Sequence, residues 1–169
     1  QHQELILTDI KHLFSCNPLY PVYRPSQPLS PSDKVSLTWQ EYAEGVRWVG
    51  HSGEGFSFDN EAPRHRVFVE AFALANRLVT CREYLEFMND GGYERPEFWL
   101  SDGWDTAQQW RWQAPLYWEK HAGQWVVFTL AGLRAVNLAE PVCHVSFYEA
   151  DAYARWSQAR LPTEMEWEV

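Results

Sequence analysis

The chain has 169 residues, 46% of them hydrophobic, enough for one domain with a real core and too many for general disorder. Its net charge of −9 excludes the basic footprint of a nucleic-acid binder, and no run of 18 apolar residues suggests a membrane span. Three widely spaced cysteines (Cys16, Cys81, Cys143), an odd count with no Cys-x-x-Cys and no leader pattern, read as buried free thiols in a reducing cytoplasm.

Residues 1–16 read as the end of a helix, with Leu5, Ile6, Ile10, Leu13 and Phe14 at helical spacing and Asn17-Pro18 closing it. Pro18, Pro21, Pro25, Pro28 and Pro31 follow, half of the ten prolines. They predict an extended connector over 17–34, solvated or laid along a surface. Val46 to Gly50 and Arg66 to Phe72 are strand candidates, with Asp59 to Pro63 a loop between them. Thr80-Cys81-Arg82-Glu83 is a capping box that opens a helix, and Gly91-Gly92 stops it. Between Gly91 and Glu140 the sequence predicts little regular structure beyond one hairpin. That hairpin pairs 117–119 with 125–128 across a turn at Ala122-Gly123. Two further capping boxes, Ser146 to Glu149 and Thr163 to Glu166, open the last helices. The final helix start runs for about two turns, and no initiator Met begins the chain, so the sequence reads as an internal piece of a longer protein.

The residues with chemical potential mostly have plain structural readings. Most of the ten Trp lie between Trp99 and Trp125. Core filling under long loops is the first expectation for them, and lining a ligand cleft the second. His51, Asp59 and His65 would make a 2-His-1-carboxylate set. Capping or buried hydrogen bonding is the better expectation for Asp59 and His65. His144, between Val142 and Val145, is expected in the core, while His12 and His121 are expected at the surface. Capping and the field at a helix N-terminus account for Glu164 and Glu166 without catalysis.

Three segments together are similar to the formylglycine-generating-enzyme-like (sulfatase-modifying factor) domain. They are Asp59 to Val67, Leu78 to Tyr93, and Pro141 to Ala150 running on through Arg160-Leu161-Pro162-Thr163-Glu164-Met165-Glu166-Trp167-Glu168. The resemblance spans about 45–169. It implies an α+β fold of mixed helices and short strands, C-type-lectin-like and C-terminally incomplete, over 35–169.

The start of the chain narrows the resemblance. Gln1-His2-Gln3-Glu4-Leu5 through His12, then Asn17-Pro18-Leu19, resembles the end of the DinB-like helical domain of hercynine oxygenases, the sulfoxide synthases of ergothioneine biosynthesis. The resemblance therefore assigns 1–16 to the last helix of that iron-binding domain and 17–34 to a linker. In the family's His-x-x-x-His-x-Glu signature, His2 and Glu4 match the second half. Residues four apart share a helix face, so His2 and a histidine three residues before Gln1 are placed to hold one ion. Glu4, two residues from His2 and about 200° around the helix, is turned away from it. The resemblance implies that His2 ligates Fe(II) and that Gln1 lies beside hercynine. It also implies that the substrates are hercynine, a cysteinyl thiol and O2, joined by a new C–S bond. The family's other catalytic residues have no match in this chain, so the 169 residues alone are expected to be inactive. An ovothiol-type synthase and a non-catalytic lectin-like binding module are the alternatives.

Overall fold

The computed structural model describes residues 1–25 and 35–169, so Pro28 and Pro31 of the proline connector lie outside the described residues. In chain order the elements are α1 (His2–Ser15), β1 (Trp39–Tyr42), β2 (Gly45–Val49), β3 (His65–Val69), β4 (Phe72–Ala75), α2 (Cys81–Asn89), α3 (Ser101–Trp110), β5 (Trp118–His121), β6 (Gln124–Thr129), β7 (Gly132–Ala135), α4 (Phe147–Trp156) and α5 (Glu164–Glu168). Helices alternate with three small antiparallel sheets, an α+β arrangement. Contacts divide the chain into two units: Gln1–Lys34 with Val79–Ala159, and Val35–Leu78 with Arg160–Val169.

The core of the first unit is aromatic: Tyr84, Phe87, Tyr93, Trp99, Ala107 and Ala152 are buried together, with Tyr153 and Trp156 packed on Phe87. Two helices enter this core through the capping boxes that the sequence predicts. Thr80 Oγ1 accepts from the Glu83 amide at 3.4 Å, and Glu83 Oε2 accepts from the Thr80 amide at 2.8 Å. At the start of α4 the Ser146 amide donates to Glu149 Oε2 at 2.7 Å, and the Glu149 amide donates to Ser146 Oγ at 3.2 Å. The second oxygen of the buried Glu149 accepts from the Tyr93 hydroxyl at 2.5 Å, and the Tyr84 and Tyr93 hydroxyls lie 3.1 Å apart. Burial raises the pKa of both phenols, which keeps them protonated and able to donate.

The stretch from Gly91 to Glu140 is more regular than the sequence predicts. It holds α3 and β7 beside the expected β5–β6 hairpin. Helix α3 carries no side-chain N-cap bond, and Gly103 in its interior reads as a loop residue in sequence. Its structural reason is close packing, since a Cβ there would fall within 2.5 Å of the Tyr148 side chain on α4. The hairpin turn is as expected: Ala122 and Gly123 both take positive φ, +48° and +83°, as a two-residue type I′ turn demands. The described part of the connector lies on this sheet. The Tyr23 and Arg24 amides both donate to the Leu130 carbonyl, at 2.9 and 3.1 Å, and Tyr20 Oη donates to Glu119 at 3.1 Å.

In the second unit the single strand expected over 66–72 is two strands. The chain breaks at Glu70-Ala71 because β3 pairs with β2 while β4 pairs with β1. The loop at Asp59 to Pro63 contains one 3₁₀ turn, Asp59–Glu61, closed by the Phe58 amide on Glu61 Oε2 at 2.8 Å. Helix α5 opens with the third capping box, Thr163 with Glu166. Arg160 grips Glu166 through Nη1 and Nη2, at 2.7 and 2.5 Å, and holds its carboxyl down at about 2.

Candidate functional site

Gln1 and His2 stand at the exposed start of α1, where the Gln1 carbonyl accepts from the Leu5 amide at 3.0 Å. Glu4 is exposed on the same first turn. No group of three His, Cys, Asp or Glu side chains placed to hold a metal exists among the described residues. One imidazole is the right donor type for iron but does not make a site. The described residues therefore do not fit an iron ion by themselves.

The other sequence candidates stay apart. His51 Nε2 contacts the Gly53 carbonyl at 2.9 Å and His65 Nδ1 the Pro63 carbonyl at 3.0 Å, both local contacts, and His65 is exposed rather than buried. Asp59 accepts from the next residue's amide, Asn60, at 3.1 Å. Of the three cysteines expected in the core only Cys81 is buried, where loss of solvent pushes its thiol up to about 11; Cys16 and Cys143 are exposed. His121 lies at the surface 3.2 Å from Glu119.

A different group of residues comes together at the far end of α1. Helical rise is about 1.5 Å per residue, so Lys11 lies roughly 14 Å along the axis from His2. Lys11 Nζ is 2.6 Å from His144 Nε2 and sits over the Tyr117 ring, 4.6 Å from its centroid. His12 Nδ1 is 3.3 Å from Tyr117 Oη. The Tyr117 and His144 rings meet edge to face at 4.9 Å, and both residues hold positive φ, +74° and +61°. Left-handed backbone at two bulky residues is strained and persists only where surroundings over-determine it. That backbone turns His144 outward onto Lys11, so it is an exposed residue and not the core histidine its valine neighbours suggest.

Desolvation around His144, reinforced by the Lys11 charge, lowers the imidazole pKa. Desolvation also lowers that of Lys11, opposed by Cys143 and aided by Arg134. A protonated lysine offers only donors, so Nε2 of His144 accepts and the ring proton sits on Nδ1. Tyr117 and His144 are among the residues that line a cavity of about 520 Å³, with Trp112, Trp118 and Glu149. Two of the clustered tryptophans thus line a cleft, whereas Trp99 is buried and Trp110 lies on the surface. The sequence gives no sign of Lys11 or Tyr117, because neither a positive φ nor a contact across more than a hundred residues leaves a local pattern.

The sulfatase-modifying factor enzyme 1-like domain matches residues 35–169. The chain belongs to that family. Its α+β architecture is the fold of this sulfatase-modifying factor domain. The chain is 41% identical over 115 residues to the hercynine oxygenase of Mycolicibacterium smegmatis, covering 68% of this chain and 26% of the relative. It is 41% identical over 123 residues to that of Mycobacterium tuberculosis, covering 73% and 28%. A formylglycine-generating enzyme of Mycobacterium tuberculosis is 32% identical over 138 residues, covering 66% and 44%. The chain thus spans little more than a quarter of the hercynine oxygenases it resembles. No helix among the described residues is long and apolar enough to cross a membrane.

Proposed function

We propose that this sulfatase-modifying factor domain and its leading helix belong to a cytoplasmic hercynine oxygenase, which joins a cysteinyl thiol to the imidazole carbon of hercynine and leaves a sulfoxide. The observation that carries the reading is the 38–41% identity to three hercynine oxygenases, against 32% to a formylglycine-generating enzyme. On this reading 1–16 is the end of a DinB-like iron-binding domain and 17–34 the linker. His2 is one imidazole ligand of Fe(II), and Gln1 lies beside hercynine. The other ligands come from outside these residues, and so does the machinery of the chemical step. None of the residues described here is assigned a catalytic proton transfer.

The test is the full-length protein with Fe(II), O2, hercynine and either cysteine or γ-glutamylcysteine, with sulfoxide read by mass spectrometry. Product in one of the two, together with loss of Fe(II) binding in His2→Ala, supports the reading. Product from histidine in place of hercynine moves it to an ovothiol-type synthase. No product with any acceptor and no Fe(II) uptake under anaerobic conditions overturns it. That last result favours a non-catalytic module, a reading with its own support in 32% identity to an inactive Cα-formylglycine-generating enzyme 2 of Mus musculus.

A further inference from the structure

Among the described residues, helix α1 meets the rest of its unit at its last turns. None of its fourteen residues is fully buried: Leu5, Ile6 and Leu13 are more than half exposed, while Ile10, Lys11, Phe14 and Ser15, toward its end, are half-buried. Its side-chain polar contacts with the rest of its unit, among the described residues, fall in the last turns: Lys11 on His144, Lys11 over Tyr117, and His12 on Tyr117. The receiving pair is rigid in three ways. Both residues are locked at positive φ, their rings stack edge to face, and the Leu116 amide, next to Tyr117, donates to the His144 carbonyl at 3.1 Å.

We propose that Lys11 is a positioning residue: seated on His144 and Tyr117, it sets the direction in which α1 leaves the cavity wall, and so sets where Gln1 and His2 stand. The geometry is that of a lever. With about 14 Å between Lys11 and His2, a tilt of roughly 10° at the contact moves His2 by roughly 2–3 Å. Displacements near 1 Å at a reacting centre already cost on the order of a hundredfold in rate. Lysine suits the role through its three donors and compact charge, which satisfy an imidazole nitrogen and an aromatic face together. The catalytic consequence rests on the reading of Gln1 and His2 given above; the joint itself rests on the contacts alone.

The test uses the full-length protein and the variants Lys11→Met, Lys11→Arg, His144→Asn and the Lys11→Met/His144→Asn double variant. Asparagine tolerates the positive φ at 144, so the backbone there is kept. In the unfolding equilibrium the two single changes are expected to be non-additive by about threefold or more, the mark of a direct contact. In sulfoxide formation Lys11→Met is expected to lower kcat roughly 10- to 100-fold, with KM for hercynine within about threefold, and Lys11→Arg to restore most of the rate. Additive unfolding constants overturn the joint. Wild-type kcat in Lys11→Met, despite lowered stability, reduces the contact to a structural one and overturns the positioning role. A wild-type protein that makes no sulfoxide overturns the functional reading and the catalytic half of this inference with it, while the unfolding cycle still decides the joint.

Discussion

The α2–α4 core and helix α1 sit in one unit and are held in opposite ways. The core is aromatic: Phe87 is fully buried, and it meets Tyr84, Tyr93, Tyr153 and Trp156 ring to ring. Helix α1 has no fully buried residue: Ile10, Lys11 and Phe14 are half-buried, and its polar contacts are those of a lysine, two histidines and a tyrosine near its end. Packing of the first kind is non-directional and strong in sum, while contacts of the second kind are few and directional. One region carries stability, and the other carries orientation.

The sharpest way to break that contrast is truncation on each side of it. Phe87→Ala is expected to lower unfolding free energy by about 3–5 kcal/mol, whereas Leu13→Ala in the 169-residue chain should change it by less than about 0.5 kcal/mol. Equal losses in denaturant titrations would show that α1 is packed as the core is. Next is the polar chain inside the core. Tyr93→Phe strips Glu149 of its hydroxyl donor and is expected to cost about 1–3 kcal/mol, checked by the same titration. Ser146→Ala removes the N-cap of α4 and is expected to cost about 1 kcal/mol, with the loss absent if Ser is replaced by Asp.

The smallest effect belongs to α1. Docking lowers the pKa of His144, so the undocked ring takes up a proton first as pH falls through the range below 6.5. The proton-richer undocked state is therefore favoured by acid. The other groups facing this contact are Cys143 and Arg134 beside Lys11, and Cys16 and His12 beside Tyr117. Amide exchange in α1, corrected for intrinsic pH dependence, should be faster at pH 5.5 than at pH 7.5. His144→Asn should flatten the difference. A slope unchanged in His144→Asn would remove His144 as its source.

What the sequence made legible follows the same division. Capping boxes are local and reciprocal, so Thr80, Ser146 and Thr163 mark three helix starts that the structure has where expected. The hairpin turn is equally local, because Gly123 supplies one of its two positive φ angles cheaply. Helix α3 was illegible because its defining feature, Gly103, answers to Tyr148 on another helix. The site fared differently. Gln1 and His2 come from a motif, and nothing in the structure assembles them with other metal donors. The Lys11, Tyr117 and His144 cluster comes from backbone strain and long-range contact. His144 misled for a definite reason: two flanking valines suggest burial, while a left-handed backbone between them points the ring out.

One small feature gives α1 a further property. Because Tyr23 and Arg24 both donate to the Leu130 carbonyl, the chain is clamped eight residues beyond Ser15, the last residue of the helix. A segment tethered so closely meets its docking face at an effective concentration in the millimolar range or above. A contact too weak to join two separate molecules is then enough to keep the end of α1 seated on Tyr117 and His144. The tether at Leu130 and the lysine contact together hold the end of α1 in place.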